Sequence, residues 1–250
     1  MKFTESYPNT WRDLQDLVAL FLNQAGYKAT SPRTIELVRG KVEVDVYIEA
    51  PDELIKCIIC ECKYWDTSVP QEKIHAFRTV VYDAGASLGL FISKNGFQSG
   101  AIEAAKCSNI KLMTWSEFTE LLADRWIVTQ LIKLKEKASL LSFYTDPLNF
   151  PYEDLTKEGL PKYRQAFDDY RNLWSTCWML SKTDLENDSF PKARFYEAEK
   201  ATTIESYVNF LFSEVDSAIK AFSDSIEHSM ITIPQDKLAN NKGWIFMNLY

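Results

Sequence analysis

The chain has 250 residues, with 46% hydrophobic, 25% charged and 14% aromatic side chains and a formal net charge of −7. That balance excludes a disordered, collagen-like or disulfide-stapled chain and suits one large domain or two of roughly 100–150 residues. Basic and acidic residues number 14 and 17 in residues 1–125, and 14 and 18 in residues 126–250. Neither half therefore has the bulk positive charge of a strong non-specific nucleic-acid binder.

No apolar run approaches the roughly 20 residues that cross a bilayer. Met1 to Ser6 offers no apolar signal core. Five cysteines, an odd number, fit reduced thiols in a cytosol, and two histidines make a His-based metal centre improbable. These features together predict a soluble, cytoplasmic protein without a membrane partner.

In chain order, Thr10 and Asp13 make a capping-box-like start to a helix carrying Leu14, Leu17, Val18, Phe21, Leu22 and Ala25, closed at Gly26. Thr34 to Val38, the turn Arg39-Gly40, and Lys41 to Glu49 read as a β-hairpin. After a break at Pro51-Asp52, Leu54 to Tyr64 reads as a third strand, apolar enough for the sheet centre. Ser68 and Gln71 form a second capping box for a helix through Ile74, Phe77, Val80 and Val81, ending near Gly85. Strand Leu88–Ser93, helix Gln98–Cys107 and strand Ile110–Met113 follow, and Thr114 with Glu117 caps the next helix. The expected fold is a mixed α/β sheet flanked by helices.

Beyond it the pattern turns helical, from about Glu117 to Ser142, then Leu160 to Leu180 and Thr202 to His228, with polar Thr183 to Ser189 between the last two. The domains are expected at 1–125 (α/β) and 126–250 (all-α). The apolar end, Gly243 to Tyr250, is expected to dock into its own core or to form a partner surface.

The chemistry concentrates in Asp45, Glu61 and Lys63. On one strand, period-two alternation puts Glu43, Asp45 and Tyr47 on one face and Val42, Val44, Val46 and Ile48 on the other. On the next, Ile59, Glu61 and Lys63 share a face opposite Cys60, Cys62 and Tyr64. Ionised Glu and Lys in so apolar a strand are costly unless paired or metal-bound. If the strands are adjacent, Asp45 and Glu61 make a hard-oxygen site suited to Mg²⁺, and Lys63 points into it. There Lys63 can orient or help deprotonate a water attacking a phosphodiester while the metal stabilises the developing charge. The bland alternative is a structural ion pair, Glu61–Lys63 or Asp45–Lys63.

The stretches Glu43 to Tyr47, Ile58 to Tyr64, and Leu88 to Phe97 with Ala101 to Ala105 resemble the Mrr-type restriction-endonuclease catalytic domain of the PD-(D/E)xK superfamily, over about residues 10–120. Its most specific parts are the D…ExK set and the strand-to-helix segment at Phe91-Ile-Ser93. The resemblance implies a restriction-endonuclease-like mixed sheet and a Mg²⁺-dependent DNA endonuclease, with Mn²⁺ as a substitute. Asp45 and Glu61 would be metal ligands and Lys63 the catalytic lysine. Many members carry Glu at the position of Gln15 and a glycine-rich approach to the metal Asp. Here Gln15 can hydrogen-bond a metal water but lacks charge, and Lys41-Val-Glu-Val precedes Asp45.

Cys57, Cys60 and Cys62 are expected as core thiols, since Cys60 and Cys62 point away from Cys57 and no second cysteine pair or nearby histidine completes a tetrahedral set. His75 reads as a surface or packing residue, and Gln71 as a possible bond to phosphate or Lys63. Lys73, Arg78, Lys94 and Lys111 are candidate phosphate contacts. The leading function is a DNA endonuclease of a prokaryotic restriction or anti-phage system, whose helical half recognises, dimerises or restrains. The alternatives are a catalytically silent nuclease-fold subunit of a larger assembly and a repair or recombination nuclease. A homodimer or a protein partner is expected through the helical half.

Overall fold

The computed structural model describes residues 2–38, 40–49, 55–187 and 201–234. The chain divides into two compact units, one of residues 5–126 and one of residues 1–4 with 127–250.

The first unit opens with α1 (Trp11–Gln24), where the Thr10 side chain accepts from Asp13 N as the N-cap. Leu14, Val18, Phe21 and Leu22 form its buried stripe, and Gly26 reverses the chain at φ +85°. Five strands make a mixed sheet in the order β1 (Ala29–Thr30), β4 (Val46–Glu49), β5 (Cys57–Lys63), β6 (Leu88–Ser93) and β7 (Ile110–Thr114). The first two contacts are antiparallel and the last two parallel. Helices α2 (Gln71–Asp83) and α3 (Ser99–Ala105) are the crossovers of the parallel part. The apolar β5 sits at the centre, as its composition predicts. The two-residue β1 has no distinctive pattern and was not expected.

The remaining pair, β2 (Arg33–Leu37) and β3 (Gly40–Val44), forms a separate two-stranded ribbon. The expectation of one strand from Lys41 to Glu49 is thereby corrected: the chain bends at Asp45 and changes sheets. An unbroken strand would hold Val42 and Val44 on the face opposite Tyr47. Instead Val42, Val44 and Tyr47 all pack into the cluster of Ile59, Phe77 and Phe91. Aspartate is a poor strand former and bonds groups outside the ladder, so a phase break falls naturally there.

One helix start departs from expectation and another meets it. Ser68 makes no capping box; α2 starts behind Pro70, and Ser68 Oγ donates to Asn95 O. Thr114 and Glu117 do cap α4 (Trp115–Ala138), with Thr114 N donating to the carboxylate at 2.7 Å. The first unit ends within this helix, at Trp126.

The second unit is helical over its described residues. Besides the end of α4 it holds α5 (Leu141–Tyr144), α6 (Gly159–Tyr170), α7 (Leu173–Met179), α8 (Lys182–Glu186) and α9 (Ile204–Ile226). The stretch read as one helix, Leu160 to Leu180, is two helices parted at Arg171-Asn172. The polar segment at Thr183 is itself a helix, opened by a Ser181/Asp184 capping box. Tyr144 stacks on Phe222 at 4.9 Å and Phe150 on Tyr163 at 4.5 Å, forming an aromatic core under α9. The carbonyls of Lys2 and Phe3 accept from Ile204 N and Glu205 N, satisfying two free donors at the start of α9. The Pro51-Asp52 break and the apolar end Gly243–Tyr250 lie outside the described residues.

Candidate active site

Strand register creates the site. The β4–β5 pairing ends at Val46–Cys60, whereas the β5–β6 pairing continues through Lys63–Ser93. Along Glu61, Cys62 and Lys63, β5 therefore has a backbone partner on one side only. One register step past Val46 on the other side stands Asp45, opposite Glu61.

Asp45 fills that gap with its side chain. Its Oδ2 accepts from Cys62 N at 2.7 Å, replacing a ladder bond. Its Oδ1 accepts from Gln15 Nε2 at 2.6 Å. Gln15 lies on the buried stripe of α1, 7% exposed, and its Oε1 has no hydrogen-bond partner. A buried unsatisfied amide oxygen costs about 1–3 kcal/mol.

Glu61 and Lys63 form an ion pair, with side chains 27% and 22% exposed. Burial pushes the Glu61 carboxyl above its ordinary value, and the Asp45 charge adds to the rise; the ammonium groups of Lys63 and Lys73 oppose it. Asp45, Glu61, Lys63 and Gln15 thus stand together at one end of β5.

The donor set fits a hard divalent cation. Among the described residues there is no group of three or more His, Cys, Asp or Glu able to hold a metal. Two mutually repelling carboxylates beside an unmatched amide oxygen nonetheless suit Mg²⁺, which takes one or two carboxylates and keeps several waters.

The other singled-out residues scatter. Cys57, Cys60 and Cys62 are buried free thiols, and burial raises the pKa of both Cys60 and Cys62. His75 and Gln71 bond each other at 3.0 Å on the exposed side of α2. Arg78 donates to Ala104 O, Lys94 pairs with Asp66, and Lys111 is exposed on the outer strand β7. Only Lys73 of the four candidate phosphate contacts acts on the site. Sequence reasoning passed over Trp65, two residues beyond Lys63, whose ring lies near both Lys63 and Lys73. The signal available was the aromatic pair Tyr64-Trp65 following the ExK string.

No helix among the described residues is long and apolar enough to cross a membrane. No curated protein matches the chain. A crystal structure of a "Protein of Unknown Function AF1548" superimposes with a TM-score of 0.40 and 14% identity, covering 86% of this chain and 96% of that one. Residues 8–122 match the family model of the Mrr catalytic domain, described as a restriction endonuclease. The matched residues lie within the first unit of this chain, which is thus similar to an Mrr-type restriction-endonuclease catalytic domain.

Proposed function

We propose that the chain is a divalent-metal-dependent DNA endonuclease that hydrolyses phosphodiester bonds at the open end of β5. The observation that supports it most is the joint placement of Gln15, Asp45, Glu61 and Lys63 within a restriction-endonuclease-like domain. Asp45 and Glu61 would hold Mg²⁺ or Mn²⁺, with Gln15 Oε1 bonding the ion or one of its waters. The bound ion would supply charge stabilisation for the attacked phosphate.

The protein's own groups do the rest. Gln15 and Cys62 N fix both oxygens of Asp45, so the carboxylate is oriented before any ligand arrives. The Lys63 ammonium orients the attacking water, favours loss of its proton to solvent through its positive charge, and offsets charge developing on the phosphate. The Glu61 ion pair keeps that ammonium at the site.

The biological setting proposed is a prokaryotic restriction or anti-phage defence system, in the cytoplasm. One site per chain cuts one strand per visit, so concerted cleavage of a duplex calls for a homodimer or a partner. The helical unit is assigned that role, or recognition, or restraint.

A second reading, a catalytically silent nuclease-fold subunit, is favoured by the net charge of −7 and by an uncharged Gln15 beside Asp45. Methylated and unmethylated supercoiled plasmid incubated with Mg²⁺, Mn²⁺ or EDTA separates the two. Nicking or linearisation with either metal and none in EDTA supports the endonuclease. Intact plasmid under every condition supports the silent subunit.

A further inference from the structure

After β5 the chain runs Tyr64-Trp65-Asp66, and several bonds tie this segment to the loop that follows β6. Lys94 N donates to Lys63 O at 3.0 Å, Lys94 Nζ to Asp66 at 2.7 Å, and Asn95 Nδ2 to Asp66 O. Farther along, Ser68 Oγ donates to Asn95 O at 3.3 Å and Val69 N to Gly96 O at 3.0 Å. The two loops make one ledge beside the open end of β5, held by backbone as well as side-chain bonds.

Trp65 is half-buried on that ledge. The Lys63 ammonium lies 6.0 Å from its ring centroid and the Lys73 ammonium 5.8 Å. Lys73 is exposed in the first turn of α2 and, among the described residues, is within ion-pair distance of no carboxylate; Lys94, by contrast, is committed to Asp66. Trp65 is also absent from the buried cluster beneath α2. A large aromatic face outside that cluster and an exposed cation thus border Glu61 and Lys63.

The geometry points to a nucleotide-positioning subsite: Trp65 receives the face of a base next to the cleaved phosphate, and Lys73 receives the phosphate beyond it. An aromatic ring bordered by cations matches a nucleotide, which offers a π-face and anionic neighbours. Inside a duplex each base is already stacked on both faces. Trp65 can therefore take only a base that is unpaired or drawn out of the stack. The substrate class this selects is DNA with a single-stranded segment, such as a gap, flap or bubble, in preference to intact duplex. The inference rests on Asp45, Glu61 and Lys63 being the cleavage site, and it specifies what that site accepts.

The test is anisotropy of a fluorescein-labelled oligothymidylate of about twelve nucleotides with the full-length protein, at low salt in EDTA, where binding is read without cleavage. Trp65→Leu keeps apolar bulk but removes the π-face, and should weaken binding roughly 10- to 100-fold. Trp65→Phe should stay within a few-fold of the parent. Lys73→Ala should reduce the slope of log affinity against log salt by about one contact. Unlabelled gapped duplex should compete better than blunt duplex of the same length. Trp65→Leu binding that equals the parent, no binding by the parent, or equal competition by blunt duplex would each overturn the subsite. Trp65-dependent binding without hydrolysis in Mg²⁺ or Mn²⁺ would retain the subsite and remove the endonuclease reading. Cleavage that ignores both Trp65 and strand pairing would do the reverse.

Discussion

Gln15 and Asp45, thirty positions apart, meet at 2.6 Å, and their bond has one workable polarity. An ionised carboxylate only accepts, so Gln15 must turn its amide N–H toward Asp45. Its carbonyl oxygen is then left without a partner in a side chain only 7% exposed. Buried acceptors are rarely left so, and a bound cation or its water is the partner that would complete this one.

Gln15→Glu should sharpen that relationship. A third carboxylate at Asp45 raises repulsion in the empty site and relieves it when a divalent ion binds. The variant should melt below the parent in EDTA and bind Mn²⁺ more tightly by calorimetry. Unchanged or weaker Mn²⁺ binding would argue against an ion at this site.

Asp45→Asn separates structure from ligand binding. Asparagine Oδ1 can still accept from Cys62 N, and Gln15 can turn its amide over to accept from the new amide. Stability in EDTA should change by less than about 1 kcal/mol, with Mn²⁺ affinity falling at least about tenfold. Asp45→Ala leaves Cys62 N without its acceptor and should cost about 1–3 kcal/mol. Urea denaturation of both variants checks the difference.

The raised Glu61 carboxyl gives a pH signature. Its native pKa lies above the unfolded value, so the native state takes up this proton at higher pH than the unfolded chain. Keeping Glu61 ionised therefore opposes folding at neutral pH, and this opposition fades as pH falls through the raised pKa toward the ordinary carboxylate value. In EDTA, the parent should gain stability relative to Glu61→Gln as pH falls from neutral toward the ordinary carboxylate range. A stability difference that stays flat with pH would contradict the assignment.

The legibility of this protein in its sequence varied with the range of the interactions involved. Asp45, Glu61 and Lys63 were marked by charge in otherwise apolar strands, which is a local and costly anomaly. The helix caps at Thr10 and Thr114 were likewise local, and both form. The turnover at Asp45 was hidden, because the β-branched residues around it favour strand on either side. Only tertiary packing, with Val44 and Tyr47 entering one cluster, exposes it. At Ser68 the following Pro70 moved the helix start, and Asn172 parts two helices that one apolar periodicity had joined. Trp65 and Lys73 are eight residues apart and meet only through the folding of the loop after β5.

Gly89 tests the sheet that carries the site. A Cβ there would lie 2.7 Å from Val81 Cγ2 and 2.8 Å from Phe77 Cε1, on the packed side of α2. Gly89→Ala should destabilise the first unit by about 1–3 kcal/mol through overpacking. Thermal melting should report this as a lowered Tm, and an unchanged Tm would mean that α2 packs more loosely on β6 than described.

The most direct measurement is relaxation of supercoiled plasmid by the parent and by Lys63→Ala, with circular dichroism confirming that both are folded. Lys63 acts on charge at the reacting phosphate, so the parent should nick in Mg²⁺ and fall silent in EDTA. Lys63→Ala should lose at least about a hundredfold in rate while keeping its fold. Equal nicking by parent and variant would contradict the account.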